Sequence, residues 1–221
     1  MPDIHLIDLI NWERSGPVAK GPAGEPQPVF LHQGELDGAC GLYSVVMSLL
    51  ICGVVDLEAL VGHAYDGRQR LGKFMGQVRT RFQGLVIEGT YLSDLRDLIA
   101  ETFASKLEWE YYPAQGHQIR RFVAEQLMDN HPVIVGLRYS TGGHAVVAVG
   151  YEGCEQGEGC TLVRRFLLLD PSRSHRLDSP WNASIRTVAD RGRWPYRFDG
   201  GPDGGQTGVT FDTALALWPK G

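Results

Sequence analysis

The sequence predicts an α+β fold, a helical N-terminal lobe packed on a C-terminal antiparallel sheet. Apolar residues recur at helical spacing as far as about residue 130. After Pro132 the period changes to short apolar runs separated by turn residues. With 221 residues and 43% hydrophobic content, the chain can bury one substantial core, or one split between two lobes. The expected division is an irregular N-terminal arm over 1–32 and one domain over 33–221, helical over about 33–130 and sheet over about 131–221.

Each element has its own justification. Residues 15–28 hold Gly16, Pro17, Gly21, Pro22, Gly24, Pro26 and Pro28, a composition that predicts an irregular arm. Residues 41–52 are apolar nearly all round (Leu42, Val45, Val46, Leu49, Leu50), as in a centrally buried helix, and Gly53 supplies its stop. Asp56 is a candidate N-cap for a second helix running to about His63. A weaker helical pattern over 71–82 is interrupted by Gly72 and Gly76. A stronger one over 92–104 puts Leu92, Leu95, Leu98, Ile99 and Phe103 on one stripe. Residues 107–112 alternate like a strand, and 119–128 carry the stripe Ile119, Phe122, Val123, Leu127. Residues 133–139, 144–151 and 161–169 are strand-like. From Pro171 onward the chain is rich in Arg, Asp, Gly, Pro and Trp with little periodicity, which predicts a long irregular covering segment.

Charge and composition exclude several classes. Lys and Arg total 21 against 26 Asp and Glu, a formal charge of -5, where a nucleic-acid partner would call for a basic excess. The first ten residues carry Asp3 and Asp8 and lack the basic and apolar regions of a signal peptide. The longest apolar stretch, 45–55, is broken by Ser48 and Gly53 and is too short for a membrane span. Four cysteines are too few for a disulfide scaffold. The expectation is a protein of a reducing cytoplasm, or one exported without a signal peptide, and no cofactor is expected.

Cys40 lies in the segment Asp37-Gly38-Ala39-Cys40-Gly41, directly before the buried helix. Small neighbours let the backbone turn and a substrate approach. The positive end of a helix dipole stabilises thiolate, the form of sulfur that attacks carbonyls. Cys52, at the opposite end of the same helix, has no such support and is expected to be core packing. The two thiols should therefore differ in reactivity.

Gly142-Gly143-His144 opens the apolar run 145–149, which sets an imidazole at the rim of a sheet. The later strand ends at Asp170-Pro171, and Gly153, Gly157 and Gly159 between them predict a hairpin turn. Facing residues of an antiparallel hairpin share a constant index sum. His144 with Asp170 and Cys154 with Cys160 both sum to 314, centring the turn on Gly157 and placing all four on one face. A carboxylate facing a histidine in this way can accept its ring N–H and stabilise imidazolium, which in turn holds a nearby sulfur as thiolate.

The segment 33–44 (Gln33 to Ser44) resembles the nucleophile segment of the papain-like cysteine peptidase superfamily. Residues 143–151 resemble its histidine strand, and 168–172 its Asp-bearing strand. The look is nearest to the bacterial domains that cleave double-glycine leader peptides. The resemblance implies a papain-like fold and thiol hydrolysis of a peptide or isopeptide bond. It assigns Cys40 as nucleophile, His144 as general base and acid, Asp170 as the group orienting His144, and Gln33 as oxyanion donor, with Gly41 and Gly143 along the substrate path. Gln33 stands seven residues before Cys40, where the family spacing is six, and Asp37 is displaced by Gly38-Ala39 from the position next to the cysteine. The same triad also serves transglutaminase-like acyl transfer and glutamine deamidation of the toxin-effector kind. A papain-fold module that only binds its partner is a third reading.

Other constellations are weaker. Cys154, Cys160 and His175 have loose spacing for zinc and no fourth ligand. His32 neighbours Gln33 and is a candidate for the same cleft. The run 200–205 lacks the adjoining lysine of a phosphate loop and reads as a turn. Trp181 or Trp194 would suit an aromatic shield over a His–Asp pair.

Overall fold

The computed structural model describes residues 3–34, 38–62, 66–81, 89–155, 161–175, 178–200 and 205–221. In chain order come strands β1 (Asp3–Leu6), β2 (Asn11–Glu13), β3 (Gly16–Lys20) and β4 (Pro26–Pro28). Helices α1 (Cys40–Ile51), α2 (Leu57–Val61), α3 (Arg70–Arg81) and α4 (Leu92–Phe103) follow, then β5 (Leu107–Tyr112) and α5 (His117–Met128). The chain ends in β6 (Val133–Tyr139), β7 (Gly142–Glu155), β8 (Thr161–Leu169), β9 (Ala183–Arg186), β10 (Tyr196–Asp199) and β11 (Gln206–Pro219).

Six of these strands close into an antiparallel barrel in the order β7-β6-β11-β10-β9-β8, with β8 returning to β7. Two strands add to it, β1 alongside the far part of β7 and β5 alongside the end of β11. Strands β2, β3 and β4 form a separate small sheet. Closure removes the exposed sheet edges that an open sheet has to protect. Helix α1 packs on β6, β7 and β3, and α5 on β11, β6 and β7. From Val133 to Leu137 every residue is buried, so both faces of β6 are covered.

This architecture corrects the expected α+β arrangement. Helices account for 27% of the described residues, which are mostly β and form no helical lobe of the papain kind. Individual elements match well: α3, α4, β5, α5 and β6 lie within a residue or two of the sequence patterns. Asp56 caps α2, its Oδ1 accepting the Ala59 N–H at 2.8 Å; His63 and Phe82, the expected ends of two helices, lie outside the described residues.

Two segments expected to be irregular are sheet. In the last fifty residues, β9, β10 and β11 supply half of the barrel. The reason is visible in β11. Its period-2 pattern (Val209, Phe211) is broken by a bulge between Phe211 and Thr213, and the run from Ala214 to Leu217 is buried throughout. The strand therefore has no sustained alternation. The N-terminal segment likewise holds four short strands instead of an irregular arm, and β3 is buried from Gly16 to Ala19.

That small sheet secures the end of α1. The buried Gln27 side chain donates to the carbonyls of Val55 (2.9 Å) and Leu50 (3.3 Å) and accepts the Leu57 N–H (2.9 Å). Gly53 ends the helix at φ +65°, where a Cβ would lie 2.6 Å from the Lys20 carbonyl oxygen, so glycine alone fits. Replacing Gln27 by Ala would leave three backbone groups without this partner. We expect Gln27→Ala to cost about 1–3 kcal/mol, measured as a lower urea midpoint at unchanged m-value.

Candidate active site

Cys40 is the first residue of α1. Its helix start has no side-chain cap and no acidic residue in the first turn, so the helix itself presents the positive end of its dipole to the sulfur. Helix α1 is tied to the histidine strand by Ser44, whose buried hydroxyl donates to the Ala145 carbonyl at 3.2 Å. His144 belongs to β7, opposite Leu137 of β6, and its side chain is 12% exposed. Asp170 follows β8 and is 1% exposed.

These three side chains meet. His144 Nε2–H donates to Asp170 Oδ1 at 2.7 Å, which leaves Nδ1 for the Cys40 sulfur, its other hydrogen-bond partner. Burial by itself raises the Cys40 thiol pKa. The hydrogen bond and charge of His144 outweigh it, helped by the backbone N–H groups of Ala145 and Gly41, and the thiol ends below its ordinary 9.0. Burial likewise disfavours His144 imidazolium, but Asp170 and Cys40 together raise its pKa to about 10. Cys52 has only burial acting on it and rises to about 12.

Asp170 sits in a tight cradle. Its Oδ1 also accepts the Ser172 N–H at 2.9 Å, and the Ser172 hydroxyl lies 3.4 Å from His144 Nε2. The Gln33 N–H donates to the Pro171 carbonyl at 2.8 Å, bringing the segment before Cys40 against the one after Asp170. The Asn182 side chain contacts both backbone groups of Asp170.

The triad opens into a cleft of about 920 Å³. Cys40, His144, Gln33 and Gly143 line it, whereas Gly41 is buried behind the nucleophile, where a Cβ would lie 3.0 Å from Leu95 Cδ1. The wall carries the Arg138–Asp212 ion pair (2.8 Å) and Arg193, whose guanidinium stacks on Trp194 with 5.0 Å to the ring centroid. The β11 bulge positions Asp212 there, so an irregularity in the ladder shapes the site. His32 is exposed away from the lining, and Trp194 lines the cleft while Trp181 does not. The ring of Phe198 lies 6.3 Å from that of His144 between centroids; sequence reasoning missed it because the alternation of β10 is only four residues long. Asn182 and Ser44 were missed too; no spacing marks either.

The hairpin register differs from the expected one. Near the mouth the pairs are Val147 with Leu169 and Ala148 with Leu168, a sum of 316, rising to 317 in the middle across two irregularities. His144 and Asp170 are therefore not ladder partners but diagonal neighbours at the open end. Cys154 faces Leu162, while Cys160 and the turn residue Gly157 lie outside the described residues. The agreement of the two index sums was a coincidence. His175 packs against Phe30 and Gly16 and not with Cys154. Among the described residues no three His, Cys, Asp or Glu side chains gather in a way that could hold a metal ion. No helix among them is long and apolar enough to cross a membrane.

No known family's sequence pattern and no curated protein matches this chain.

The pH dependence of thiol chemistry follows from the shifts. As pH rises through the lowered Cys40 pKa, below 9.0, thiolate forms while His144 is still protonated, and the ion pair persists up to about pH 10. Iodoacetamide labelling of Cys40, followed by peptide mass spectrometry, is expected to reach half its plateau below pH 9, with Cys52 unlabelled throughout. Equal labelling of both thiols at neutral pH would exclude the electrostatic assignment.

Proposed function

We propose that the protein is a thiol hydrolase that cleaves a peptide or isopeptide bond through Cys40, His144 and Asp170. The observation that carries this reading is one buried imidazole held between a carboxylate at 2.7 Å and a thiol of lowered pKa, at the floor of an open cleft. The three segments that resemble the motifs of papain-like peptidases are the ones that meet there. The reading rests on those segments and on the site, not on the architecture.

In the proposed reaction the Cys40 thiolate attacks the substrate carbonyl carbon, and the C=O π pair moves onto oxygen. The Cys40 backbone N–H and the Gln33 side chain are suited to stabilise that oxyanion. As the C–N bond breaks, His144 Nδ1–H gives its proton to the leaving amine, producing a thioester. Neutral His144 then takes a proton from water, which attacks the thioester and releases acid and thiolate. Asp170 holds the Nε2–H tautomer throughout and stabilises imidazolium. Gly143 adjoins His144 on the cleft wall, where the absence of a side chain leaves room for an extended peptide.

A peptide-library digest analysed by mass spectrometry tests the reading. Cleavage by the native protein, abolished in Cys40→Ala and lowered about 10³- to 10⁴-fold in Asp170→Ala, which removes the acceptor that orients His144, is the expected result. A gain of one dalton at glutamine, or an amine adduct, would instead assign the triad to deamidation or acyl transfer. Peptide binding equal in native protein and Cys40→Ala, without any covalent product, would mark a binding module.

A further inference from the structure

Strand β8 leaves the barrel at the residue that carries the carboxylate. Its ladder with β9 ends at Leu168 and Ala183, so Asp170 has no strand partner on that side. The side chain of Asn182 stands in for one. Its Oδ1 accepts the Asp170 N–H at 2.7 Å, and its Nδ2 donates to the Asp170 carbonyl at 2.9 Å and the Arg173 carbonyl at 3.2 Å. The Asn182 N–H continues the ladder by donating to the Leu168 carbonyl at 3.1 Å. Asn182 is 5% exposed, so these bonds are made with little competition from water. One acceptor and two donors on a one-carbon arm are an asparagine's inventory; aspartate lacks the donors and glutamine is a carbon longer.

We infer that Asn182 is a positioning residue that sets the direction of the Asp170 carboxylate and, through His144, the charge state of Cys40. The inference rests on the triad reading above. With both backbone groups of Asp170 held, only the two side-chain rotations, about Cα–Cβ and Cβ–Cγ, remain to the carboxylate, and the bonds from Ser172 N–H and His144 Nε2–H to Oδ1 restrain them. Loss of the amide frees the 170–173 turn, so Oδ1 leaves His144 for part of the time. Imidazolium is then less stable, and the thiolate it supports with it.

The test is the pH dependence of Cys40 alkylation by iodoacetamide, measured on folded protein for Asn182→Ala, Asp170→Ala and the double variant. Thr187→Ala serves as the control, since it removes a buried bond to the Val163 carbonyl (2.6 Å) at the other end of β8. Asn182→Ala is expected to move the alkylation midpoint up by about one pH unit, slowing neutral-pH labelling about tenfold. The double variant is expected to match Asp170→Ala, and Thr187→Ala the native protein. If Asn182→Ala does not fold, Asn182→Ser, whose hydroxyl can serve one of the three bonds, is expected to show a smaller upward shift. A shift in Asp170→Ala with none in the folded Asn182 variant would overturn the positioning role and leave the triad standing. No shift in Asp170→Ala would remove the triad reading and this inference together. A Thr187→Ala shift equal to that of Asn182→Ala would reduce Asn182 to general support of the barrel.

Discussion

A carboxylate buried to 1% exposure is the constraint around which the site is organised. A bare anion there would be displaced or neutralised unless charged and polar donors compensated it. Two donors reach the carboxylate, the imidazole of β7 and the Ser172 N–H of the following turn, and a third group, Asn182 just before β9, holds the backbone of the same residue. Each draws a different part of the chain to one point. The Gln33 N–H on the Pro171 carbonyl adds a fourth, linking the stretch before the nucleophile to the same turn. Burial of one acid thereby dictates where the histidine strand, the nucleophile helix and the N-terminal segment converge.

The barrel gives that convergence its rigidity. In β6 and the adjoining part of β7 both faces are covered, and the core rings Phe166, Phe211 and Tyr196 pack edge-to-face or tilted against one another. Strands β7 and β11 are long enough to change partners along their length, so each carries a structural end and a functional end. In β7 the far part holds β1 and the hairpin, while the near part holds His144. In β11 the C-terminal part holds β5, while the bulge turns Asp212 toward the cleft.

What could be read in advance follows the range of the interactions involved. Helices α4 and α5 were legible because their stripes repeat within a dozen residues. The local environment of Cys40 was legible for the same reason, since helix start, small neighbours and apolar follow-on are all contiguous. The barrel was not. Its closure depends on pairings such as β8 with β9 and β9 with β10, and β9 and β10 have four residues each, too few for a period to stand out among Gly, Pro and Arg residues. The His144–Asp170 approach was foreseen, but from a ladder register that does not exist; the β7–β8 pairs sum to 316 at both ends of the ladder, two beyond the expected 314. Asn182 and Ser44 act through side-chain bonds to backbone groups of other segments, which leave no mark on a linear pattern.

Helix α1 carries its two thiols at opposite ends, one at the cleft and one sealed beneath the Leu217 carbonyl of β11. The sealed sulfur is buried in the core, so a reagent reaches it only when the packing around the end of α1 opens. Its rate of capture by a small reagent thus counts openings of the whole core, as slow amide exchange does in other proteins. The exposed sulfur counts only the local state of the cleft. A single chain therefore contains two independent clocks on one rigid rod, able to distinguish a ligand that closes the cleft from one that tightens the entire fold.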